Sequence, residues 1–334
     1  MKPSIALIFA GGTIGMVADP KTGTLHPAKD VSAILQFVPE LRKKISFEFF
    51  SLFNIDSTNM TPAHWSAIAT KIKEIYEKFD GFVIIQGTDT LAYSASAISF
   101  ALQNLSKPVV FTGSLVPLSE LGADARNNLI YASLVATMDI AEACIVFGNK
   151  ILRGNRSKKN HESFVDVFHS PAFPILGEIE RPIKLFEWRK KRRKRVLEFQ
   201  PQFEEDIRLI KLFPGFQPYS LDRMIDGGAK GIIIEGFGPG NIPFLDHSIL
   251  PQIERAIAQN IPVVIGSQME KSMTNLDAYE AGYKVKQLGA ISARDMTTEA
   301  AVAKLMWVLA QTRDIKKVRA LMEKDVAGEL SEVE

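Results

Sequence analysis

The chain has 334 residues, of which 46% are hydrophobic and 23% charged, and its formal net charge is +2. These values are typical of a globular protein long enough for two domains, and they do not describe a general nucleic-acid binder. The apolar stretches are too short to span a membrane, and the apolar run before Gly11 is too short for a secretory signal. Cys144 is the single cysteine, so an internal disulfide is excluded and we expect a cytoplasmic location.

The first half of the chain alternates between predicted strands and predicted helices. Apolar runs predict strands at 4–10, about 46–53, 82–86, 108–112 and 143–148. Periodic segments predict helices near 30–38, 62–79, 90–104 and 124–139. Thr61 and Pro62 form a good helix start, as N-cap and first helical residue. The repeated strand–helix units predict a parallel sheet covered by helices on both faces.

The pattern weakens between about 150 and 205 and then resumes. Later strands are predicted at 207–213, 231–237 and 261–267, and helices near 218–227, 247–259 and 297–312. We therefore predict an α/β fold with a larger N-terminal domain at 1–185, a basic linker region at 186–206 and a smaller C-terminal α/β domain at 207–334. The seven consecutive basic residues at 189–195 favour a solvated loop, with an acidic partner or RNA as the alternative.

Polar residues follow each of the first four predicted strands. These corners are 11–15 (Gly-Gly-Thr-Ile-Gly), 54–58 (Asn-Ile-Asp-Ser-Thr), 87–90 (Gly-Thr-Asp-Thr) and 113–114 (Gly-Ser). In an open parallel sheet, ligands bind beyond the carboxyl ends of the strands, so we expect these corners to share one edge. Turn and N-cap chemistry alone would also place Gly, Ser, Thr and Asp at such corners.

Two threonines, Thr13 and Thr88, are candidate nucleophiles in these corners. A threonine hydroxyl needs a base and an orienting group before it can attack. Asp89 can orient, and a lysine in a partly desolvated site can serve as base, with candidates in the stretch 153–161. Gly11, Gly12 and Gly87 would let backbone N–H groups approach a substrate and form an oxyanion hole.

Metal and dinucleotide sites are not supported by the sequence. The run Ala-Gly-Gly-Thr-Ile-Gly at 10–15 is one residue away from the dinucleotide fingerprint, but the acidic residue expected at the end of the second strand is missing. The five histidines show neither an i,i+4 pair nor an HExxH motif. We expect no metal and no cofactor.

The stretches "IFAGGTIGM" (8–16) and "DGFVIIQGTDTLAYSASAISF" (80–100) resemble the two signature regions of the bacterial-type L-asparaginases, in particular the cytoplasmic type I branch. Further similar stretches follow in the same order. They are "NIDSTNMTPAHW" (54–65), "KPVVFTGSLVPL" (107–118), "RGNRSKKN" (153–160), "EGFGPGNIP" (235–243) and "DMTTEAAVAKLMW" (295–307).

The resemblance implies a cofactor-independent amidohydrolase that converts L-asparagine to L-aspartate and ammonia, assembled as a homodimer or homotetramer. It implies that Thr13 is the nucleophile that forms an acyl-enzyme, and that Lys159 deprotonates Thr88 while Asp89 orients it. Lys158 is the adjacent alternative to Lys159. The substrate contacts implied by the resemblance are Gly12, Asp56, Ser57, Gly87 and Ser114.

The chain departs from the family pattern at several positions. Gln86 stands where the family has His, Leu115 where Gln or Met is frequent, and Ala10 where Thr is common. The flap after Thr13 normally carries a catalytic tyrosine, whereas the matching stretch here offers Thr24, Leu25 and His26.

These departures leave two alternatives to an asparaginase. One is a related amidohydrolase or amidotransferase subunit that acts on another amide. The archaeal subunit of this kind has an extra N-terminal domain, whereas this chain begins at the first strand, which favours the asparaginase. We expect a small-molecule substrate rather than nucleic acid as the partner. The other alternative is a ligand-binding homologue that has lost turnover.

Overall fold

A computed structural model describes residues 2–18, 22, 25–27, 32–117, 120–162 and 166–332. The chain divides into two compact units, Met1–Pro201 and Gln202–Glu334. Each unit is an α/β structure, and the predicted fold, with a larger N-terminal and a smaller C-terminal α/β domain, is confirmed. Residues 186–201, which the sequence pattern assigns to a linker, group with the first unit in this division.

The first unit contains strands throughout its length and three α-helices within the described ranges. The strands are β1 Ser4–Phe9, β2 Met16–Ala18, β3 Leu25–Pro27, β4 Ser46–Ser51, β5 Gly81–Ile85, β6 Leu102–Gln103, β7 Val109–Thr112, β8 Ala143–Phe147, β9 Lys150–Arg153, β10 Lys158–Lys159, β11 Phe168–His169, β12 Gly177–Glu178, β13 Lys184–Leu185 and β14 Glu198–Phe199. The helices are α1 Pro62–Ile75, α2 Leu91–Ala101 and α3 Ala125–Val135. Short 3₁₀ helices lie at Thr13–Gly15, Ser32–Phe37, Leu41–Lys43, Ser57–Asn59, Tyr76–Lys78 and Gly154–Arg156.

The main sheet has the strand order β13-β12-β9-β8-β7-β5-β1-β4 among the described residues. Five neighbouring strands of this sheet are parallel, as the alternation predicted; they are β4, β1, β5, β7 and β8. The other three strands, β9, β12 and β13, are antiparallel and were not predicted from the sequence. β9 follows β8 through a two-residue turn at Gly148-Asn149, and such a hairpin needs no crossover helix.

Several predicted helices of the first unit end earlier than expected. α1 ends at Ile75 and continues as a 3₁₀ turn, and α2 ends at Ala101 because Leu102 and Gln103 pair with β14. The segment predicted as a helix at 30–38 is a 3₁₀ helix from Ser32 to Phe37, and residues 30 and 31 lie outside the described ranges. α1 does begin as predicted, with Thr61 as N-cap and Pro62 as its first residue.

The central strands of the first unit are buried on both faces. Every residue of β5, β7 and β8 is buried, which explains why these strands are continuous apolar runs rather than alternating ones. On one face, Leu7, Val83 and Val110 belong to a core that includes Leu129 and Ala132 of α3. Because these strands are paired and buried on both faces, the sheet defines where the loops at their carboxyl ends begin.

The second unit is a four-stranded parallel sheet covered by helices. Its strands are β15 Ile207–Lys211, β16 Gly231–Gly236, β17 Val263–Ser267 and β18 Ile291–Ser292, paired in sequence order. Its helices are α4 Tyr219–Asp226, α5 Leu250–Ala258, α6 Glu280–Gln287, α7 Thr298–Gln311 and α8 Ile315–Glu323. Sequence patterns did not predict α6, β18 and α8. None of the helices described in either unit is long and apolar enough to cross a bilayer.

Candidate active site

The first four parallel strands end side by side, which brings their following loops to one edge of the sheet. Phe9 pairs with Ser51 of β4 and with Ile85 of β5, and Ile85 pairs with Thr112 of β7. The register therefore places the four polar corners of the sequence at the same edge. This is the position at which ligands bind in open α/β sheets.

The glycine corner after β1 is held between the loops that follow β4 and β5. Gly11 and Gly12 have φ angles of +102° and +95°, which glycine adopts without strain. A Cβ at Gly11 would lie 2.1 Å from the carbonyl oxygen of Ile55, and one at Gly12 would lie 2.2 Å from the nitrogen of Gly87. Contact between main chains therefore fixes the start of the 3₁₀ helix on which Thr13 lies.

The amide nitrogen of Gly12 already has a partner. It donates a 3.1 Å hydrogen bond to the Ile55 carbonyl oxygen. In this structure the N–H group of Gly12 secures the loop, and its expected contribution to an oxyanion hole stays a prediction. Within the described residues, neither the amide nitrogen of Gly87 nor that of Thr88 donates a hydrogen bond to a backbone carbonyl.

The loop after β4 brings Asp56 and Ser57 to this edge. The Asp56 carboxylate accepts hydrogen bonds of 2.8 Å from the amide nitrogen and the hydroxyl of Thr58 and so caps a short 3₁₀ helix. Ser57 is buried, and a Cβ at Gly87 would lie 2.6 Å from its Oγ atom. Gly12, Gly87 and Ser57, which the resemblance assigns to substrate binding, are therefore immediate neighbours.

The corner after β5 carries Thr88 and Asp89, and Lys159 reaches it from β10. Lys159 Nζ lies 2.5 Å from Asp89 Oδ1, with the lysine side chain 20% exposed and the aspartate 53% exposed. Thr88, which directly precedes Asp89 in the chain, is buried. Within the described ranges, Lys159 donates to Asp89 and makes no hydrogen bond to Thr88. The structure thus shows a contact between Asp89 and Lys159, the residue to which the resemblance assigns the role of base.

The loop after β7 brings Ser114 to the same edge. Ser114 is buried, and its Oγ atom has no hydrogen-bond partner among the described residues. A Cβ at the preceding Gly113 would lie 2.3 Å from the carbonyl oxygen of Gln86 and 3.7 Å from Thr88 Cγ2. An unpartnered buried hydroxyl is costly, so a ligand or water at this edge would satisfy it.

Two polar side chains that hold this loop were not predicted from the sequence. Asp124 Oδ1 accepts from the amide nitrogens of Leu115 and Val116, both at 3.1 Å. Asn128 Nδ2 donates 3.0 Å to the Gly113 carbonyl oxygen, and its Oδ1 accepts from the Gly148 nitrogen at 3.1 Å. Both residues lie at the start of α3, where polar side chains usually cap the helix. Only the tertiary structure reveals these contacts.

The flap that follows Thr13 is described only in part. β2 and β3 form an antiparallel hairpin with Met16 opposite Pro27. Thr24, proposed as one residue in place of the flap tyrosine, lies outside the described residues. Among the described residues, no group of three His, Cys, Asp or Glu side chains is arranged to hold a metal ion.

Two family models match nearly the whole chain. The model "Asparaginase, N-terminal" matches residues 4–191, and the model "Glutaminase/Asparaginase C-terminal domain" matches residues 206–322. The chain belongs to the asparaginase family, and the resemblance inferred from its sequence is confirmed.

Individual relatives carry two different names. The chain is 38% identical to a glutamyl-tRNA(Gln) amidotransferase subunit from Aeropyrum pernix, over 98% of this chain and 79% of that protein. It is 35% identical to "L-asparaginase 1" of Escherichia coli, over 99% of this chain and 98% of that protein. The structure also matches the thermostable L-asparaginase from Thermococcus kodakarensis with a TM-score of 0.92 at 33% identity, covering 99% of this chain and 100% of that one.

Proposed function

We propose that this protein hydrolyses the side-chain amide of L-asparagine to L-aspartate and ammonia. The observation that supports this most is the 2.5 Å contact between Lys159 and Asp89 beside Thr88, at the edge that also carries Thr13. Two threonine hydroxyls, a lysine and a carboxylate at one edge supply nucleophile, base and orienting group without a metal. The proposed substrate contacts Gly12, Asp56, Ser57, Gly87 and Ser114 converge on the same edge.

The reaction follows the usual course of acyl transfer. Thr13 Oγ attacks the amide carbon, its proton passes to the departing nitrogen, and cleavage of the C–N bond releases ammonia and leaves an ester on Thr13. Water then attacks this ester, which releases aspartate and restores the hydroxyl. In this proposal the neutral Lys159 amine takes the proton of Thr88, Asp89 orients the lysine, and Thr88 in turn accepts a proton from the attacking water. The proton held by Lys159 then passes to the departing Thr13 oxygen, which restores both the hydroxyl and the neutral amine.

The test is ammonia release from L-asparagine by the purified protein. We expect Thr13→Ala and Thr88→Ala to lower kcat by at least about a thousandfold, because each removes a reacting hydroxyl. Thr70→Ala, which changes an exposed threonine of α1, is the matched control and should keep full activity. Wild-type turnover in both active-site variants would rule out the mechanism.

The alternative functions differ in the amide from which ammonia is released and in whether any ammonia is released. An amidotransferase-like subunit, the function named for the Aeropyrum pernix relative, would release ammonia from another amide or only with its partner and tRNA. Assays with L-asparagine, L-glutamine and other amides separate these cases. A homologue without turnover would be stabilised against heat by aspartate and release no ammonia from any of them.

We also infer that the protein acts in the cytoplasm as a homodimer or homotetramer. The family resemblance and the single buried cysteine support this inference. Light scattering coupled to size-exclusion chromatography measures the molar mass directly, and a mass near 37.0 kDa would contradict the oligomer.

A further inference from the structure

The second unit contains a cavity that is remote in sequence from every residue of the proposed active site. Its volume is about 380 Å³, within the range of small-molecule sites. It lies along β18, between the loop at 273–277 and helices α6 and α8. Its charged lining consists of Asp277, Lys286, Arg294, Arg319 and Glu323.

Two arginines give this cavity a net positive lining. Lys286 is neutralised by Asp277, with Nζ–Oδ distances of 2.6 and 2.7 Å. Arg319 is 3.4 Å from Glu323, and both side chains are partly exposed, so this ion pair is weak. Arg294 forms no ion pair with any residue that the structure describes.

Both guanidinium groups are held in place by backbone carbonyls. Arg319 Nη2 donates to the carbonyl oxygens of Gly289 at 2.5 Å and Ala290 at 3.4 Å. Arg294 Nη2 donates to the carbonyl oxygen of Ser331. Carbonyls fix the direction of a guanidinium group without cancelling its charge, so these arginines are pre-organised for an anion and keep further N–H donors.

Arg294 also occupies a backbone conformation that arginine rarely adopts. Its φ angle is +53°, whereas two of the other three non-glycine residues with positive φ in the described chain are asparagines. Hydrogen bonds hold the conformation, since Arg294 N donates to Ser292 Oγ at 3.0 Å and its carbonyl accepts from Thr274 N at 2.8 Å. A strained arginine that lines a cavity and has no ion pair within the described part of the chain is typical of a functional position.

The rest of the lining combines the apolar residues Met273, Leu276 and Ala290 with the polar residues Thr274, Asn275 and Ser292. Leu276 and Ala290 are buried and Met273 is 43% exposed. We propose that the cavity binds a small organic anion, whose carboxylate or phosphate oxygens contact Arg294 and Arg319 while its carbon skeleton lies against Met273 and Leu276. The cavity shares no lining residue with the proposed active site, and the proposal does not depend on the chemistry of that site.

Titration calorimetry on the full chain tests the proposal, with succinate and inorganic phosphate as probes. We expect one saturable binding event whose Kd rises at least about tenfold in Arg294→Asn, because a charge-assisted contact is lost. Arg294→Lys keeps the charge and should weaken binding less. Arg223→Gln, in α4 of the same unit and stacked on Tyr219 rather than in the cavity, should bind as wild type does.

Thermal unfolding separates lost binding from lost folding. Asparagine adopts positive φ more readily than arginine, so the melting temperature of Arg294→Asn without ligand should equal or exceed that of the wild type. The probe with the lower Kd identifies the preferred oxyanion. Absence of saturable binding by either probe, or a Kd unchanged in Arg294→Asn, would overturn the proposal. So would binding that is lost in Thr13→Ala and kept in Arg294→Asn, because the probe would then occupy the active site.

Discussion

The hydroxyl of Thr90 donates a 2.8 Å hydrogen bond to the carbonyl oxygen of Ser57. It thereby joins the start of α2 to the loop that carries Asp56 and Ser57. Gln86 Nε2 lies 3.3 Å from the same hydroxyl, and Gln86 is completely buried. The corner after β5 and the proposed substrate loop after β4 are thus connected through one threonine side chain.

Removing this hydroxyl should disturb substrate binding more than the chemical step. We expect Thr90→Val to raise KM for asparagine about tenfold with a smaller change in kcat, since the Ser57 carbonyl loses its donor and the loop moves. Thr90→Ser keeps the donor and should restore the wild-type KM. Steady-state kinetics measures both constants, and an equal KM in Thr90→Val and the wild type would contradict the positioning role.

The two adjacent lysines of β10 provide a matched pair for testing the proposed base. Lys159→Met should lower kcat by about a hundredfold to ten-thousandfold, the usual contribution of a positioned acid or base. Lys158→Met, one residue earlier, should keep most of the activity because the contact to Asp89 belongs to Lys159. The ammonia assay distinguishes them, and a larger loss in Lys158→Met would reverse the assignment.

Much of the fold could be predicted because β5, β7 and β8 are buried strands with long apolar runs. The antiparallel strands β12 and β13 could not, since two-residue strands have no periodicity and depend on pairing across the sheet. The short strand β18 was missed for the same reason. β18 is a strand because it pairs with β17 in the tertiary structure, and its own residues show no local strand pattern.

Those site residues could be predicted that lie in the loops directly after the strands. The corners containing Thr13, Ser57 and Thr88 are adjacent because parallel strands carry their loops to one edge. Asp124 and Asn128 were missed because their partners lie 8 to 20 residues away in the chain. No local pattern indicates which backbone groups they bind.

The second unit contains a buried ion pair whose disruption should destabilise the protein. Lys304 Nζ lies 2.5 Å from Glu329 Oε1, and both side chains are fully buried. Burial lowers the pKa of Lys304, with the nearby Glu329 acting in the opposite direction. Lys304→Met should destabilise the protein by about 3–5 kcal/mol, because the Glu329 carboxylate stays buried without its partner.

An exposed lysine in the same unit is the control for this prediction. Lys284 pairs with Glu280 at 2.8 Å on the surface of α6, and Lys284→Met should cost less than about 1 kcal/mol. The Lys304→Met/Glu329→Gln double variant should recover part of the stability. Urea unfolding measures all three, and equal losses in the two single variants would refute the importance of the buried pair.

Asp139 should make part of the stability of the first unit depend on pH. The amide nitrogen of Arg192, followed by the Arg189 side chain, lowers the pKa of Asp139 below its ordinary value of 3.8. Since the carboxylate is favoured in the folded state, its contribution is complete above about pH 4 and disappears as the pH falls through the lower folded pKa. Arg189 and Arg192 of the basic run are thereby tied to the preceding chain.

Asp139→Asn should therefore be less stable than the wild type near neutral pH, by at most about 1 kcal/mol for so exposed a group. The difference should shrink as the pH is lowered below about 4. Denaturant unfolding of both proteins across this range measures it. A difference of constant size would show that hydrogen-bond geometry rather than charge is responsible.

The close approach of Gly11 and Gly12 to neighbouring main chains has a consequence for evolution and engineering. A side chain at either position would meet backbone atoms of Ile55 or Gly87, which cannot move aside as a rotamer can. Saturation mutagenesis should therefore recover only glycine at 11 and 12, whatever amide is used for selection. New substrate preferences must then arise from exchangeable side chains elsewhere on the edge, such as Leu115, while the location of the Thr13 backbone stays constant across all such variants.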